Sequence, residues 1–200
     1  MQRCVRAGET GRSGRKGDNG KYDGTAIECA VERMQEEQHR SSTGPLKVEV
    51  EIAGLHREQT CEGQGFSPQV SITGLQAGHL ALIMEDADRP GDVYWALWNV
   101  PHLDQIPRNL PQQALLSSPI EGIQGRNVRG GHGYAPPCPE PGEEGHYIMR
   151  VYGLDDVLEL DPNVATRDDM IEAMNGRARE YGESHMAYSR KREWTSSYEY

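Results

Sequence analysis

The sequence contains no apolar run long enough to cross a membrane. Its longest run extends only from Leu80 to Met84, whereas a membrane-spanning helix needs about 20 apolar residues. The N-terminal residues also lack the apolar core of a signal peptide. We therefore expect a cytoplasmic protein without a transmembrane segment.

An excess of basic residues is also lacking. The formal net charge is −10 over 200 residues. An acidic protein repels the phosphate backbone of nucleic acid, so we expect no nucleic-acid partner. The negative charge instead favours solubility and cationic partners.

Motifs of metal and catalytic sites are missing as well. None of the four cysteines forms a C-x-x-C pair, which makes a zinc site unexpected. Neither a G-x-S-x-G nucleophile elbow nor an H-E-x-x-H motif is present. We expect no cofactor, no metal and no enzymatic activity, and a hydrolase of small esters or phosphates is the least favoured alternative.

The cysteines divide between two parts of the chain. Cys4 and Cys29 fall in the N-terminal part, and Cys61 and Cys138 fall in the part predicted to fold. In a reducing cytosol we expect thiols. A bridge between Cys61 and Cys138 stays open as the alternative.

Composition divides the chain into three parts. Residues 1–44 are rich in Gly, Arg, Lys and Ser, which predicts a disordered N-terminal extension with at most a short helix within Ala26–Gln38. Residues 45–190 carry the regular apolar patterns of a folded domain. Residues 191–200 are predicted to be a loose tail.

Apolar patterns within the folded part predict mainly β structure. Alternation of apolar and charged residues predicts a strand over 46–52, and continuous apolar runs predict buried strands. The further predicted strands are 69–72, 80–84, 94–100, 147–152 and 184–190. Thr166 is predicted to cap a helix over 167–175, which Gly176 ends. The long stretch between Pro107 and Gly145 is dense in Pro and Gly, which favours an ordered, functional loop.

Five motifs in order resemble the phosphatidylethanolamine-binding (Raf kinase inhibitor-like) protein family, and most closely its prokaryotic YbhB/YbcL branch. Residues 86–90 (Asp-Ala-Asp-Arg-Pro) resemble the family's D-P-D-A-P. Residues 95–101 (Trp-Ala-Leu-Trp-Asn-Val-Pro) resemble part of H-W-x-V-x-N-I-P. Residues 133–142 resemble the G-Y-x-G-P-x-P-P-x-G loop. Residues 60–68 and 151–155 match T-C-D-G-x-x-x-S-P and V-Y-A-L-D.

This resemblance implies an antiparallel β-sandwich with one or two short C-terminal helices, and a pocket that binds small anions such as phosphate head groups. By position in the motifs or by proximity to them, the candidate ligand-binding residues are Asp86, Asp88, Pro90, Tyr94, Trp95, His132, Tyr134, Pro137, Cys138, His146 and Tyr147. The implied activity is non-catalytic binding of a small anionic or phosphate-bearing ligand. The alternative is regulation of a protein partner, a protease or a kinase, through surface loops. The oligomeric state is left open, with a dimer among the options.

Ala87 and Arg89 replace the Pro and Ala of D-P-D-A-P, and two further departures concern the family's histidine positions. The family histidine before the tryptophan is Tyr94 here, which removes a potential positive charge. The family's H-x-Y pair can be aligned in two ways, with either Gly145 or His146 at the histidine position. Because neighbours on a strand point to opposite faces, we favour Tyr147 inward and His146 at the rim or outward. Phosphate binding is therefore expected to be weaker than is typical of the family.

Overall fold

The computed structural model describes residues 46–47, 49–51 and 55–192. The predicted N-terminal extension, with its short helix, lies outside the described residues, as does the tail from residue 193. Within the described part, no helix is long and apolar enough to span a membrane.

The described chain forms ten β-strands, one α-helix and a short 3-10 helix. The strands are β1 (Leu46–Lys47), β2 (Glu49–Glu51), β3 (Val70–Thr73), β4 (His79–Asp86), β5 (Val93–Pro101), β6 (Gln105–Ile106), β7 (Leu115–Leu116), β8 (Gly122–Gln124), β9 (Glu144–Leu154) and β10 (Ala178–Ser189). The 3-10 helix is Arg57–Gln59, and the α-helix, α1, is Arg167–Met174. The predicted mainly β fold with a short C-terminal helix is confirmed.

The strands form two sheets. The large sheet has the order β1-β10-β9-β4-β5-β8-β7, and the small one has the order β2-β3-β6. Neighbouring strands are antiparallel, except that β1 runs parallel to β10. The single strand predicted over 46–52 is instead two short strands, since β1 joins the large sheet and β2 the small one.

Strand β4 is buried on both faces, as its continuous apolar run predicts. One face carries Leu80, Leu82 and Met84, which pack with Val70 and Ile72 of the small sheet. The opposite face carries Ala81 and Ile83, whose cluster includes residues of α1. The large sheet is thus the middle layer, covered by the small sheet on one side and by α1 on the other.

Helix α1 begins as the sequence predicts. The Thr166 hydroxyl accepts a hydrogen bond from the Asp169 amide at 3.2 Å, and the Asp169 carboxylate accepts one from the Thr166 amide at 2.8 Å. This reciprocal pair is a capping box, which satisfies donors that the first turn leaves free. It fixes the start of the helix against the large sheet.

An irregularity in β5 turns two neighbouring aromatic residues to the same face. Opposite β4, the register passes from Trp95 against Met84 to Val93 against Glu85, so Tyr94 is the extra residue of a β-bulge. Tyr94 and Trp95 consequently both join the core between the sheets, while Val93 joins the core beneath α1. A regular strand would have placed Tyr94 and Trp95 on opposite faces.

The expectation of free thiols is wrong for Cys61 and Cys138. The two residues form a disulfide, with a Cα–Cα distance of 5.3 Å across a sequence separation of 77 residues. The fold brings the segment after the 3-10 helix beside the Pro-rich loop of residues 133–142. The Cys61 amide also donates a hydrogen bond to the Pro137 carbonyl at 3.1 Å. The expectation of thiols was based on a reducing compartment. The contact between these two segments, which are distant in sequence, instead places the two cysteines within bonding distance.

Candidate functional site

A cleft of about 330 Å³ opens where β4 ends and β9 begins. Asp86 is the last residue of β4, and Tyr147 of β9 lies directly opposite it. Tyr94 enters from β5, on the other side of β4, by way of the bulge. The remaining wall is formed by the turn after β4 and by the segment from Cys138 to Gly145. The lining residues are Asp86, Asp88, Arg89, Tyr94, Cys138, Pro139, Glu140, Glu143, Glu144, Gly145 and Tyr147.

Asp86 shapes the turn that forms one wall. Its side chain is buried and accepts hydrogen bonds from the amides of Asp88 at 2.9 Å and Arg89 at 3.0 Å. Its second carboxylate oxygen accepts from the Arg89 guanidinium at 2.9 Å. The ion pair raises the pKa of Arg89. The hydrogen-bonding capacity of the Asp86 carboxylate is therefore largely used to hold this turn and Arg89, which also lines the cleft.

Tyr94 and Tyr147 lie at the buried end of the cleft. They are 8% and 2% exposed, and their rings meet edge to face with centroids 5.1 Å apart. Among the described residues, neither hydroxyl has a hydrogen-bond partner outside this pair. Burial, together with the nearby Asp86 carboxylate, raises the pKa of both phenols. Both are therefore neutral near pH 7 and can donate or accept one hydrogen bond toward the cleft.

Gly145 leaves room for the Tyr147 hydroxyl. A Cβ built at position 145 would overlap the hydroxyl oxygen and lie 2.8 Å from the ring carbon that bears it. Side chains two apart on a strand share a face, so the Tyr147 phenol folds over its own strand. The space that a side chain at position 145 would fill is occupied by this phenol.

Replacement of Gly145 by alanine tests this arrangement. We expect Gly145→Ala to lower the free energy of unfolding by about 1–3 kcal/mol, the usual cost of overpacking. Gly78→Ala is the matched control, since a Cβ there meets nothing within 4 Å. Urea unfolding of both variants checks the prediction, and equal stability of the two would show that the phenol does not occupy this space.

His146 lies outside the cleft at its rim, and Tyr147 points inward, as the sequence favoured. The His146 side chain is 52% exposed and lies 3.3 Å from both the Asp88 and the Glu144 carboxylates. Its carbonyl accepts from the Ala87 amide at 2.9 Å. A hydrogen bond from Ser189 and the proximity of His146 lower the pKa of Glu144. His146 thus links the turn after β4 to the start of β9.

The other residues predicted to bind ligand are divided between the cleft and its surroundings. Asp86, Asp88, Tyr94, Cys138 and Tyr147 line it, whereas Pro90, Trp95, His132, Tyr134 and Pro137 do not. The role of each in ligand binding stays a prediction.

Trp95 and Tyr134 support the loop behind the cleft. Trp95 is fully buried and donates from its indole nitrogen to Gln124 at 2.9 Å, and Tyr134 packs edge to face against it. The Tyr134 hydroxyl donates to the Gln59 carbonyl at 2.8 Å, which ties the Pro-rich loop to the 3-10 helix. Pro137 is buried in the same loop, whereas Pro90 is exposed in the turn after β4.

His132 forms part of a separate turn. It makes an isolated β-bridge with Arg126, and its Nε2 atom is buried without a hydrogen-bond partner among the described residues. The neighbouring Asn127 side chain donates to the Gly133 carbonyl at 2.9 Å. His132 therefore lies in this turn and not in the lining of the cleft.

Sequence reasoning missed the acidic wall. Glu140, Glu143 and Glu144 line the cleft because the chain turns at Gly142, which has φ = 91°. That turn leads from the Pro-rich loop directly into β9. The signal was present in the run Glu140-Pro-Gly-Glu-Glu144, beside a strand that was predicted to border the pocket.

No group of three or more His, Cys, Asp or Glu residues within the described ranges is arranged to hold a metal ion. The cleft therefore presents carboxylates, phenols and one paired arginine as its binding groups. These groups can hydrogen-bond and pair with charges.

Comparison with known proteins identifies the family. The family model described as phosphatidylethanolamine-binding protein matches residues 47–189. A UPF0098 protein of Pyrococcus abyssi is 40% identical over 137 residues, covering 66% of this chain and 76% of that protein. A UPF0098 protein of Escherichia coli, YbcL, is 31% identical over 101 residues, covering 47% of this chain and 55% of that protein.

Solved structures agree with this assignment. The structure of a phosphatidylethanolamine-binding protein homologue from Chlamydia trachomatis, CT736, matches with a TM-score of 0.61 and 25% identity, covering 72% of this chain and 99% of that one. The structure of Escherichia coli YbcL matches with a TM-score of 0.63 and 22% identity, covering 72% and 99%, and shows the same fold. Motifs, fold and family model agree: the chain belongs to the phosphatidylethanolamine-binding protein family.

Proposed function

We propose that this chain is a non-catalytic binding protein that receives a small polar ligand in the cleft between Asp86, Tyr94 and Tyr147. The observation that carries the proposal is the pair of tyrosines. Both are more than nine-tenths buried, yet both line an open cleft. Binding sites of this kind combine buried aromatic surface with a few convergent polar groups.

Membership of the family suggests that the ligand carries a phosphate group. The charges that line the cleft restrict which phosphate-bearing ligands fit. Within the part of the chain that the structure describes, Arg89 is the one cation of the lining, and it faces the same space as five carboxylates: Asp86, Asp88, Glu140, Glu143 and Glu144. A bare phosphate would be repelled by these carboxylates. A zwitterion that carries an ammonium group beside its phosphate fits this lining better.

The Tyr147 hydroxyl offers a direct test with phosphoethanolamine as the probe. Tyr147→Phe removes one hydrogen-bonding group and leaves the ring in place. A hydrogen bond contributes about 1 kcal/mol, so we expect the affinity to fall about fivefold. Isothermal titration calorimetry of wild type and variant measures this change.

Tyr181→Phe is the control for the calorimetry. Tyr181 also lies on the large sheet, but its hydroxyl bonds to Glu183 away from the cleft. The affinity of Tyr181→Phe for phosphoethanolamine should therefore match that of the wild type. Equal affinities of the wild type and both variants for phosphoethanolamine would show that the Tyr147 hydroxyl does not bind the ligand.

The alternative from sequence, regulation of a protease or kinase through surface loops, stays a prediction. The described residues favour no particular protein partner. Unchanged activity of a protease or kinase panel in the presence of excess protein would count against it.

A further inference from the structure

The cleft carries far more negative than positive charge. Among the described residues, five carboxylates and one cation, Arg89, line it. Arg89 is already paired, since its guanidinium lies 2.9 Å from Asp86 and 3.4 Å from Asp92. A ligand in the cleft therefore meets a net negative surrounding.

Two of the carboxylates, those of Glu140 and Glu143, form no ion pair within the described part of the chain. Asp86 is bound to the turn and to Arg89, while Asp88 and Glu144 both lie 3.3 Å from His146. Glu140 and Glu143 make no side-chain hydrogen bond or ion pair with a described residue. Both are exposed at the mouth of the cleft, where they can attract a cation.

Three further arginines, Arg129, Arg190 and Arg192, lie near the cleft, but none of them lines it or forms an ion pair with one of its carboxylates within the described part of the chain. The Arg190 guanidinium is directed to the Cys138 sulfur at 3.7 Å, the Pro139 carbonyl at 3.3 Å and the Glu62 carboxylate at 3.9 Å. Arg129 donates to the Pro136 carbonyl at 2.8 Å and Arg192 to the Pro141 carbonyl at 3.4 Å, so these arginines are held by backbone carbonyls of the Pro-rich loop.

The buried tyrosines are an independent indication of the same chemistry. Apart from each other, the Tyr94 and Tyr147 hydroxyls have no partner among the described residues, although the side chains are 8% and 2% exposed. A neutral phenol oxygen accepts a hydrogen bond from an ammonium group, and aromatic rings attract cations. The acidic mouth and the aromatic interior therefore favour the same class of ligand.

We propose that the cleft selects a small organic ammonium ion, attracted by Glu140 and Glu143 and seated against Tyr94 and Tyr147. This inference rests on the proposed function, because it assigns the charge of the ligand that the same cleft receives. The cleft would then recognise the ligand through its ammonium group. A phosphate on the ligand would remain toward solvent.

Three probes of the full-length chain separate the relevant outcomes: propylammonium chloride, the neutral propanol, and inorganic phosphate. Binding is followed by the amide NMR shifts of residues 86–89 and 138–147 at pH 7. We expect propylammonium to bind about tenfold more tightly than either other probe. Its affinity should also fall as salt rises from 20 to 200 mM, since salt screens exposed charges (about 10 Å screening length at 0.1 M).

Charge-matched double variants locate the effect. The double variant Glu140→Gln with Glu143→Gln is expected to weaken propylammonium binding about fivefold. Both glutamates are replaced because a single exposed ion pair contributes little by itself. Glu159→Gln with Glu172→Gln removes the same charge at a separate groove beside α1 and should leave the affinity unchanged.

The outcomes distinguish this inference from the proposed function. Tighter binding of phosphate than of propylammonium, or equal loss in both double variants, overturns the ammonium inference and leaves the binding function intact. If no probe shifts the cleft amides, and phosphoethanolamine does not either, the proposed function fails as well.

Discussion

Replacing Glu85 with glutamine is expected to lower the free energy of unfolding by about 3 kcal/mol, near the lower end of the cost of breaking a buried ion pair. Glu85 is 1% exposed at the end of β4. It accepts from Arg167 of α1 at 2.8 Å and from the Gly91 amide at 3.2 Å, and it also pairs with Arg150 of β9. The substitution leaves two arginines without their shared carboxylate.

The control for Glu85 is Asp168→Asn. Asp168 also pairs with Arg167, at 3.0 Å, but its side chain is 88% exposed. Exposed pairs contribute about 0–1 kcal/mol, so this variant should unfold within about 1 kcal/mol of wild type. Comparable losses in the two variants, measured by urea unfolding, would contradict the assigned importance of the buried carboxylate.

Acid should remove the Glu85 contribution from the wild type. Burial opposes ionisation, but the hydrogen bonds from Arg167, Gly91 and Arg150 outweigh it and lower the pKa of Glu85 below its ordinary 4.5. A carboxyl group with a lowered folded-state pKa stabilises the fold above its unfolded pKa and loses that effect as the pH falls. The stability difference between wild type and Glu85→Gln should therefore be complete at pH 7 and shrink below about pH 4.5.

Loss of the Cys61–Cys138 disulfide is expected to lower the free energy of unfolding by about 2–5 kcal/mol. The bridge closes a loop with a sequence separation of 77 residues, and a chain-entropy model gives about 4.5 kcal/mol for such a loop. Hydrogen bonds from Cys61 to Pro137 and from Tyr134 to Gln59 remain in its absence. The domain should therefore fold but unfold at lower urea.

Reduction and substitution together test the disulfide. Wild type in dithiothreitol should unfold at the same urea concentration as Cys61→Ser with Cys138→Ser. The double variant should not respond to the reductant. An unchanged unfolding midpoint of the wild type on reduction would show that the bridge does not constrain the chain.

The sequence predicts the framework well where one physical cause dominates. The run from Leu80 to Met84 predicts a doubly buried strand because the small sheet covers one face and α1 the other. Thr166 and Asp169 predict the start of α1 because a capping box is a local interaction. The capping box joins residues three apart, and the continuous apolar run indicates burial on both faces whichever elements provide the cover.

The cleft is harder to predict because it depends on irregularity and on distant contacts. The bulge at Tyr94 changes which face that residue occupies, and a regular alternation cannot reveal it. The turn at Gly142 brings Glu140 and Glu143 beside the cleft. The pairing of Cys61 with Cys138 depends on how the loops meet in three dimensions, which no local pattern encodes.

The central claim is that the cleft between Asp86, Tyr94 and Tyr147 is the ligand site. Amide NMR shift mapping during titration with phosphoethanolamine tests it most directly. We predict saturable shifts at residues 86–89 and 138–147, with none at the groove of residues 159–173 beside α1. Shifts confined to that groove, or no saturable shift at millimolar phosphoethanolamine, would contradict the account.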